Sequence, residues 1–157
     1  MKVIVNISDM AVTNRENDVL ITYALGSCIG LAVFDKKNMV GGMIHYQLSD
    51  SSIDKSPDLN ICKYADTGIP YLFQQIEKLG GKIDNLIVKA AGGAVINLEK
   101  DIFQIGRKNY IALRKILWQY NLFLDGEDTG GKIEKNLVLE MATGKAFTKS
   151  RGVVKIL

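Results

Sequence analysis

Two β-rich runs, Ile29–Asp35 and Val40–Gln47, are separated only by Lys36-Lys37-Asn38-Met39. So short a connection leaves an antiparallel hairpin as the natural arrangement, because parallel neighbours need a crossover of a dozen or more residues. A turn centred between Lys36 and Lys37 sets Cys28, at the entrance of the first run, directly opposite His45 in the second. Opposed residues have Cβ atoms roughly 4.5–5.5 Å apart, near enough for an imidazole to meet a thiol. The register depends on turn chemistry. Lys-Lys is not a favoured two-residue turn, and an Asn38 in the left-handed region lengthens the loop and shifts the pairing by one. A slip of one residue turns His45 to the opposite face.

His45 is the only histidine among 157 residues, so any imidazole chemistry near neutral pH converges on it. The two cysteines, Cys28 and Cys62, form no Cys-x-x-Cys pair, and with one histidine they cannot build the usual structural zinc sites. Free thiols in a reducing compartment, with no metal and no cofactor, are the simplest account. Twenty basic against 17 acidic residues leave a net charge of +3, too small and too interspersed for a nucleic-acid surface. No apolar stretch approaches the ~20 residues that cross a bilayer, and Met1–Ile7 carries no signal-peptide cleavage pattern. The expectation is a cytoplasmic protein folded as one domain over residues 1–157.

Val3–Ile7 reads as a first strand, Ser8–Asp18 as a polar loop and Val19–Ala24 as a second strand entering the hairpin through Gly26-Ser27. Leu48–Ile61, rich in Ser, Asp and Asn with Pro57, predicts a long surface loop. Ala65, Ile69, Leu72, Phe73, Ile76 and Leu79 recur at helical spacing, stopped by Gly80-Gly81; Pro70 bends this helix or marks its start. Leu86–Ala91 predicts a strand, and Tyr110, Leu113, Leu117 and Tyr120 one face of a second helix. Leu122–Asp125, Leu137–Met141 and Lys145–Thr148 read as closing strands. The fold class predicted is α/β (α+β): mostly antiparallel sheet layers flanked by two main helices.

Four Gly-Gly pairs punctuate the chain. Gly92-Gly93 and Gly130-Gly131 each follow a strand, which suits the walls of a substrate-binding site and suits plain turns equally; neither pair fits a phosphate-binding fingerprint. A cysteine attacks as thiolate, and an imidazolium beside it would lower its pKa. A Cys and a His in one sequence are equally compatible with a buried thiol and a satisfied core histidine.

Six blocks narrow the choice. Leu25-Gly26-Ser27-Cys28, His45 with Leu48, Lys63-Tyr64-Ala65-Asp66, Lys89-Ala-Ala-Gly92-Gly93-Ala94, Ile105-Gly106 with Asn109, and Glu127-Asp128-Thr129-Gly130-Gly131 occur in one order across nearly the whole chain. Together they resemble CheD, the chemoreceptor glutamine deamidase family. The resemblance implies hydrolysis of glutamine side-chain amides on the cytoplasmic helices of chemoreceptors, with Cys28 as nucleophile, His45 as general acid/base and Thr22 orienting His45. It further implies an oxyanion held by backbone N–H groups around Gly26, Ser27 and Cys28, and a CheC-type phosphatase as partner. The chain departs from the family pattern at Ser49, where proline is usual, and at Lys108 and Lys135, where arginine is usual. A binding module with an idle site, docking on the phosphatase or receptor, and methyl-ester hydrolysis at modified glutamates are the competing readings.

Overall fold

The computed structural model describes residues 1–157 and stacks two five-stranded sheets face to face, with two helices on the outer face of one. The helix-covered sheet has the order β2 (Asp9–Thr13), β5 (Val40–Tyr46), β4 (Ile29–Asp35), β6 (Ile87–Gly92) and β7 (Gly126–Thr129). The second sheet runs β1 (Lys2–Ile4), β3 (Val19–Leu25), β8 (Lys135–Glu140), β9 (Ala146–Ser150) and β10 (Val153–Ile156). All pairings are antiparallel except β1 with β3 and β6 with β7. The helices are α1 (Ala65–Lys78) and α2 (Ile105–Gln119).

Strands β4 and β5 are buried along their whole length because they form the middle of three layers. Side chains alternate between faces. Ile29, Leu31 and Val33, with Ile44, Tyr46 and Val88, pack under α1 and α2 against Leu72, Phe73 and Leu113. Ala32, Phe34, Met43 and Ala91 point the other way, onto Leu20, Leu25, Leu137 and Met141 of the second sheet. Burying each such aliphatic or aromatic side chain contributes about 1.5–3 kcal/mol.

The hairpin forms, with a register two residues from the predicted one. Its loop is Lys36–Met39, closed by Asp35 opposite Val40, so Gly30, not Cys28, lies opposite His45. The turn is organised by the buried Asp35 carboxylate, which accepts from the Asn38 amide N–H at 3.1 Å and side chain at 2.7 Å, while Met39 takes the left-handed conformation at φ +54°. Since the period of a strand is two, this shift leaves His45 on the face the sequence assigned to it.

Further differences concern four elements. Residues 9–13, expected in a loop, form the edge strand β2 against β5. Leu122–Asp125 is not a strand; Leu122 is a core residue, and Asp125 caps β6 by accepting from the Val88 N–H at 2.7 Å, the parallel strand starting only at Gly126. The C-terminal strand β10 was not anticipated. Pro70 lies inside α1, which begins at Ala65.

Candidate active site

Thr22 and His45 meet between the sheets. Thr22 Oγ1 lies 2.7 Å from His45 Nδ1 and 2.7 Å from the Val5 carbonyl oxygen, and both side chains are buried. A hydroxyl has one proton and a carbonyl can only accept, so the Thr22 proton goes to Val5 and Nδ1 must be the donor to Thr22. The imidazole is thereby fixed as the Nδ1–H tautomer, with the lone pair on Nε2. That nitrogen is buried and has no protein partner.

The geometry that makes room for this pair is set by Gly30. A Cβ there would lie 2.8 Å from Leu25 Cδ1 and 3.2 Å from Thr22 Cγ2, so any side chain at this position would have to displace these groups where the sheets close over the imidazole. Just after Thr22, the β3–β8 ladder shifts register and Ala24 adopts φ +55°, its N–H donating to Asn136 Oδ1 at 3.0 Å. This bulge redirects the chain into Gly26-Ser27-Cys28.

Cys28 precedes β4 by one residue and packs against the inter-sheet core. Extending the β4–β5 register places it diagonally from His45 on the same face, a separation of roughly 7–8 Å between backbones in regular sheet. No hydrogen bond joins the two, since Nε2 is unpartnered. Burial pushes the Cys28 thiol above its ordinary value, its own amide N–H offsetting part of the rise. Burial also lowers the His45 pKa to about 4. The resting pair is therefore a neutral thiol and a neutral imidazole, whereas the sequence suggested an imidazolium that lowers the thiol.

The loop carrying Cys28 is held by its carbonyls. Gly26 O accepts from the Ala94 N–H at 2.8 Å and Cys28 O from the Gly93 N–H at 2.8 Å. Ser27 O accepts from Asn109 Nδ2 at 2.9 Å. The amide of Ser27 donates to no backbone carbonyl, and that of Cys28 faces only its own sulfur.

Gly92 and Gly93 thus lie against the loop that carries Cys28 and meet its backbone. Gly92, at φ +105°, sits so close that a Cβ would be 2.1 Å from Cys28 O. Gly130 and Gly131 stand one step further out: Gly130 N–H donates to Gly92 O at 2.9 Å, and Gly131 O accepts from Val95 N–H at 3.0 Å. Lys135 is buried and paired with Asp128, which also accepts from Thr148 Oγ1 at 2.7 Å, so it ties β7, β8 and β9 together. Lys108 is exposed. Ser49 lies where the chain leaves β5, its carbonyl accepting from the Asp66 N–H at 3.3 Å.

Beside Ser27 opens a pocket of about 230 Å³ lined by Ala94, Ile96, Lys100, Asp101 and Ile105. The segment that forms its wall exposes Ile96, Leu98, Ile102 and Phe103. No role for this rim, for the Val5 carbonyl or for Asn109 was legible in the sequence.

Sequence comparison matches the chain to the CheD family. Residues 47–150 match the model described as CheD chemotactic sensory transduction. A Syntrophus aciditrophicus protein named "Probable chemoreceptor glutamine deamidase CheD 1" is 47% identical, over 96% of this chain and 94% of its own length. A Solibacter usitatus protein named "Probable chemoreceptor glutamine deamidase CheD" is 43% identical, over 99% and 93% respectively. The "Chemoreceptor glutamine deamidase CheD" of Bacillus licheniformis is 32% identical, over 97% and 93%.

Proposed function

This chain belongs to the CheD family, and on that premise we propose that it is a chemoreceptor glutamine deamidase working through Cys28, His45 and Thr22 in the cytoplasm. The observation that carries the reading is the fixed tautomer: Thr22, committed to Val5, leaves His45 Nε2 as a free base on the face that bears Cys28.

In this mechanism Cys28 Sγ bonds to the side-chain carbonyl carbon of glutamine as Nε2 takes the thiol proton. The oxyanion so formed is met by the amides of Ser27 and Cys28, each such donor being worth about 2.7–4 kcal/mol. Collapse breaks the C–N bond, and the proton on Nε2 passes to the nitrogen, which leaves as ammonia. Water then attacks the thioester, Nε2 taking its proton, and cleavage of the C–S bond yields glutamate and returns the proton to sulfur. Burial of both groups suits proton transfer within the step, because neither charged form is stable at rest.

The substrate class follows from the relatives' names and is supported by the apolar rim at Ile96, Leu98, Ile102 and Phe103, which fits a protein helix better than a free amino acid. Gly92, Gly93, Gly130 and Gly131 contribute by shaping the backbone around that surface. No helix is long and apolar enough to cross a membrane. A CheC-type phosphatase is the regulatory partner in this reading, and competition between it and receptor fragments for the protein checks that part.

The main test is mass spectrometry of receptor cytoplasmic fragments incubated with the protein. Conversion of particular glutamines to glutamate, absent with Cys28→Ala, is the expected result; equal conversion by the two proteins refutes the assignment.

A further inference from the structure

Asn109 is the one buried polar side chain that reaches both ends of the site, yet it touches neither thiol nor imidazole. It is fully buried on α2, and its two Nδ2 protons go to two different carbonyls, Ser27 O at 2.9 Å and Gln47 O at 2.8 Å. The first belongs to the peptide unit that enters Cys28, the second to the chain just beyond His45. Asn109 is itself anchored, its own carbonyl accepting from Tyr46 Oη at 2.9 Å. Its Oδ1 is buried without a partner. The two donated bonds are made although Oδ1 of the same side chain goes unsatisfied, whereas an apolar residue would leave both carbonyls without this donor.

The first of those bonds acts on the amide that follows it. A trans peptide is planar, with C=O and N–H on opposite sides, and the chain has no cis peptide bond. Holding Ser27 C=O toward α2 therefore aims the Cys28 N–H away from it, and the Ala94 clamp on Gly26 O does the same for the Ser27 N–H. The Cys28 N–H in fact lies toward its own sulfur, the side from which a substrate carbonyl must approach.

We propose that Asn109 is a positioning residue for the oxyanion site: by holding the Ser27 and Gln47 carbonyls together it fixes the outward direction of the Cys28 amide relative to the strand that carries His45. This rests on the deamidase reading above and adds to it a residue that acts through backbone alone. The role is specific to the donor face of the amide. A carboxylate of the same shape has no proton for either carbonyl, so Asn109→Asp removes both bonds, whereas Asn109→Ser retains a single hydroxyl donor on a shorter stem.

The experiment compares the wild type with Asn109→Ser and Asn109→Asp for deamidation of a receptor fragment and for alkylation of Cys28 by iodoacetamide across pH. Alkylation develops no oxyanion, so it reports the thiol and its neighbours independently. The expected result is a fall in kcat of about 100-fold for Asn109→Asp and a smaller fall for Asn109→Ser, with KM and the alkylation profile nearly unchanged. Unchanged kcat in either folded variant overturns the proposal, as does a parallel loss of deamidation and alkylation, which marks general disruption. Because wild-type deamidation and its dependence on Cys28 are measured beside these, failure of the Asn109 inference is distinguishable from failure of the deamidase reading. Should neither variant fold, the wild type is treated with a peptide bearing an aldehyde in place of the glutamine side-chain amide. Downfield movement of the Ser27 and Cys28 amide proton resonances on thiohemiacetal formation is then expected, and its absence overturns the proposal.

Discussion

A single histidine makes the acid stability of this protein unusually easy to interpret. Burial lowers the His45 pKa from 6.5 to about 4, so the unfolded chain takes up a proton in a range of pH where the folded one does not. Acidification through that range draws the equilibrium toward the unfolded state, and stability rises again as pH returns above 6.5. Each unit of pKa difference is worth about 1.4 kcal/mol, which gives a loss of about 2 kcal/mol by pH 5 and about 3 kcal/mol by pH 4. Against a typical domain stability of roughly 5–15 kcal/mol this is a large fraction. The assay is urea unfolding at a series of pH values for the wild type and for His45→Gln, whose side chain stays neutral throughout. Carboxylates titrate in both proteins, and several of the structured ones, Asp18, Asp35 and Asp128 among them, are held below their ordinary values and change mainly at lower pH. The difference between the two curves therefore isolates the imidazole. If wild type and His45→Gln lose stability in parallel between pH 7 and pH 4.5, the buried neutral imidazole is wrong, and the tautomer argument built on it falls as well.

Further outcomes follow from the same contacts. Thr22→Val leaves the Nδ1–H and the Val5 carbonyl unpaired; we expect destabilisation of about 2 kcal/mol in urea unfolding and a fall in kcat of about 100-fold, with nitrogen-15 NMR of the imidazole reporting loss of the fixed Nδ1–H tautomer. Gly92→Ala places a Cβ against Cys28 O at a φ that costs about 1–3 kcal/mol, so thermal unfolding moves down and deamidation falls further than stability alone explains. Lys135→Met leaves the Asp128 carboxylate short of its buried partner and costs about 2 kcal/mol, while the folded variant retains its kcat; a selective loss of kcat would instead place Lys135 at the substrate. Cys28 of the wild type alkylates slowly at pH 6–7 and faster as pH rises past 8, following a raised thiol; rapid alkylation at pH 6 would reveal a preformed thiolate.

What the sequence made legible was local. The hairpin followed from two apolar runs and a four-residue gap, and because a strand repeats every two residues, a register error of two left His45 and Cys28 on a common face. Asp9–Thr13 escaped notice because it is an edge strand of mixed polarity, ordered by β5 rather than by its own pattern, and entered from Ser8 at φ +56°. The last strand, Val153–Ile156, pairs only with β9 and is exposed along its length, so burial left no signature in its sequence. Thr22 was found through resemblance, but its partner could not be: the Val5 carbonyl is a backbone group brought near by the parallel pairing of β1 with β3. Asn109 stood in a recognisable block without a role, because its two acceptors are more than 60 positions away and meet it only once α2 docks.

The two sheets do more than house the site, since one act of packing sets its chemistry. Closing the second sheet over Gly30 buries Thr22 and His45 together, and this burial both fixes the tautomer and removes the water that would stabilise an imidazolium. The same exclusion raises the Cys28 thiol. A preformed ion pair would need one of these shifts to be reversed by direct contact, and Nε2 makes none. In the proposed mechanism His45 then serves as a base of fixed tautomer and Cys28 as a protonated nucleophile on a clamped loop, neither of them charged at rest. Reaction then requires a group that brings its own developing negative charge to Ser27 and Cys28 as the proton moves to His45, which is what the carbonyl of a glutamine side chain supplies when sulfur adds to it.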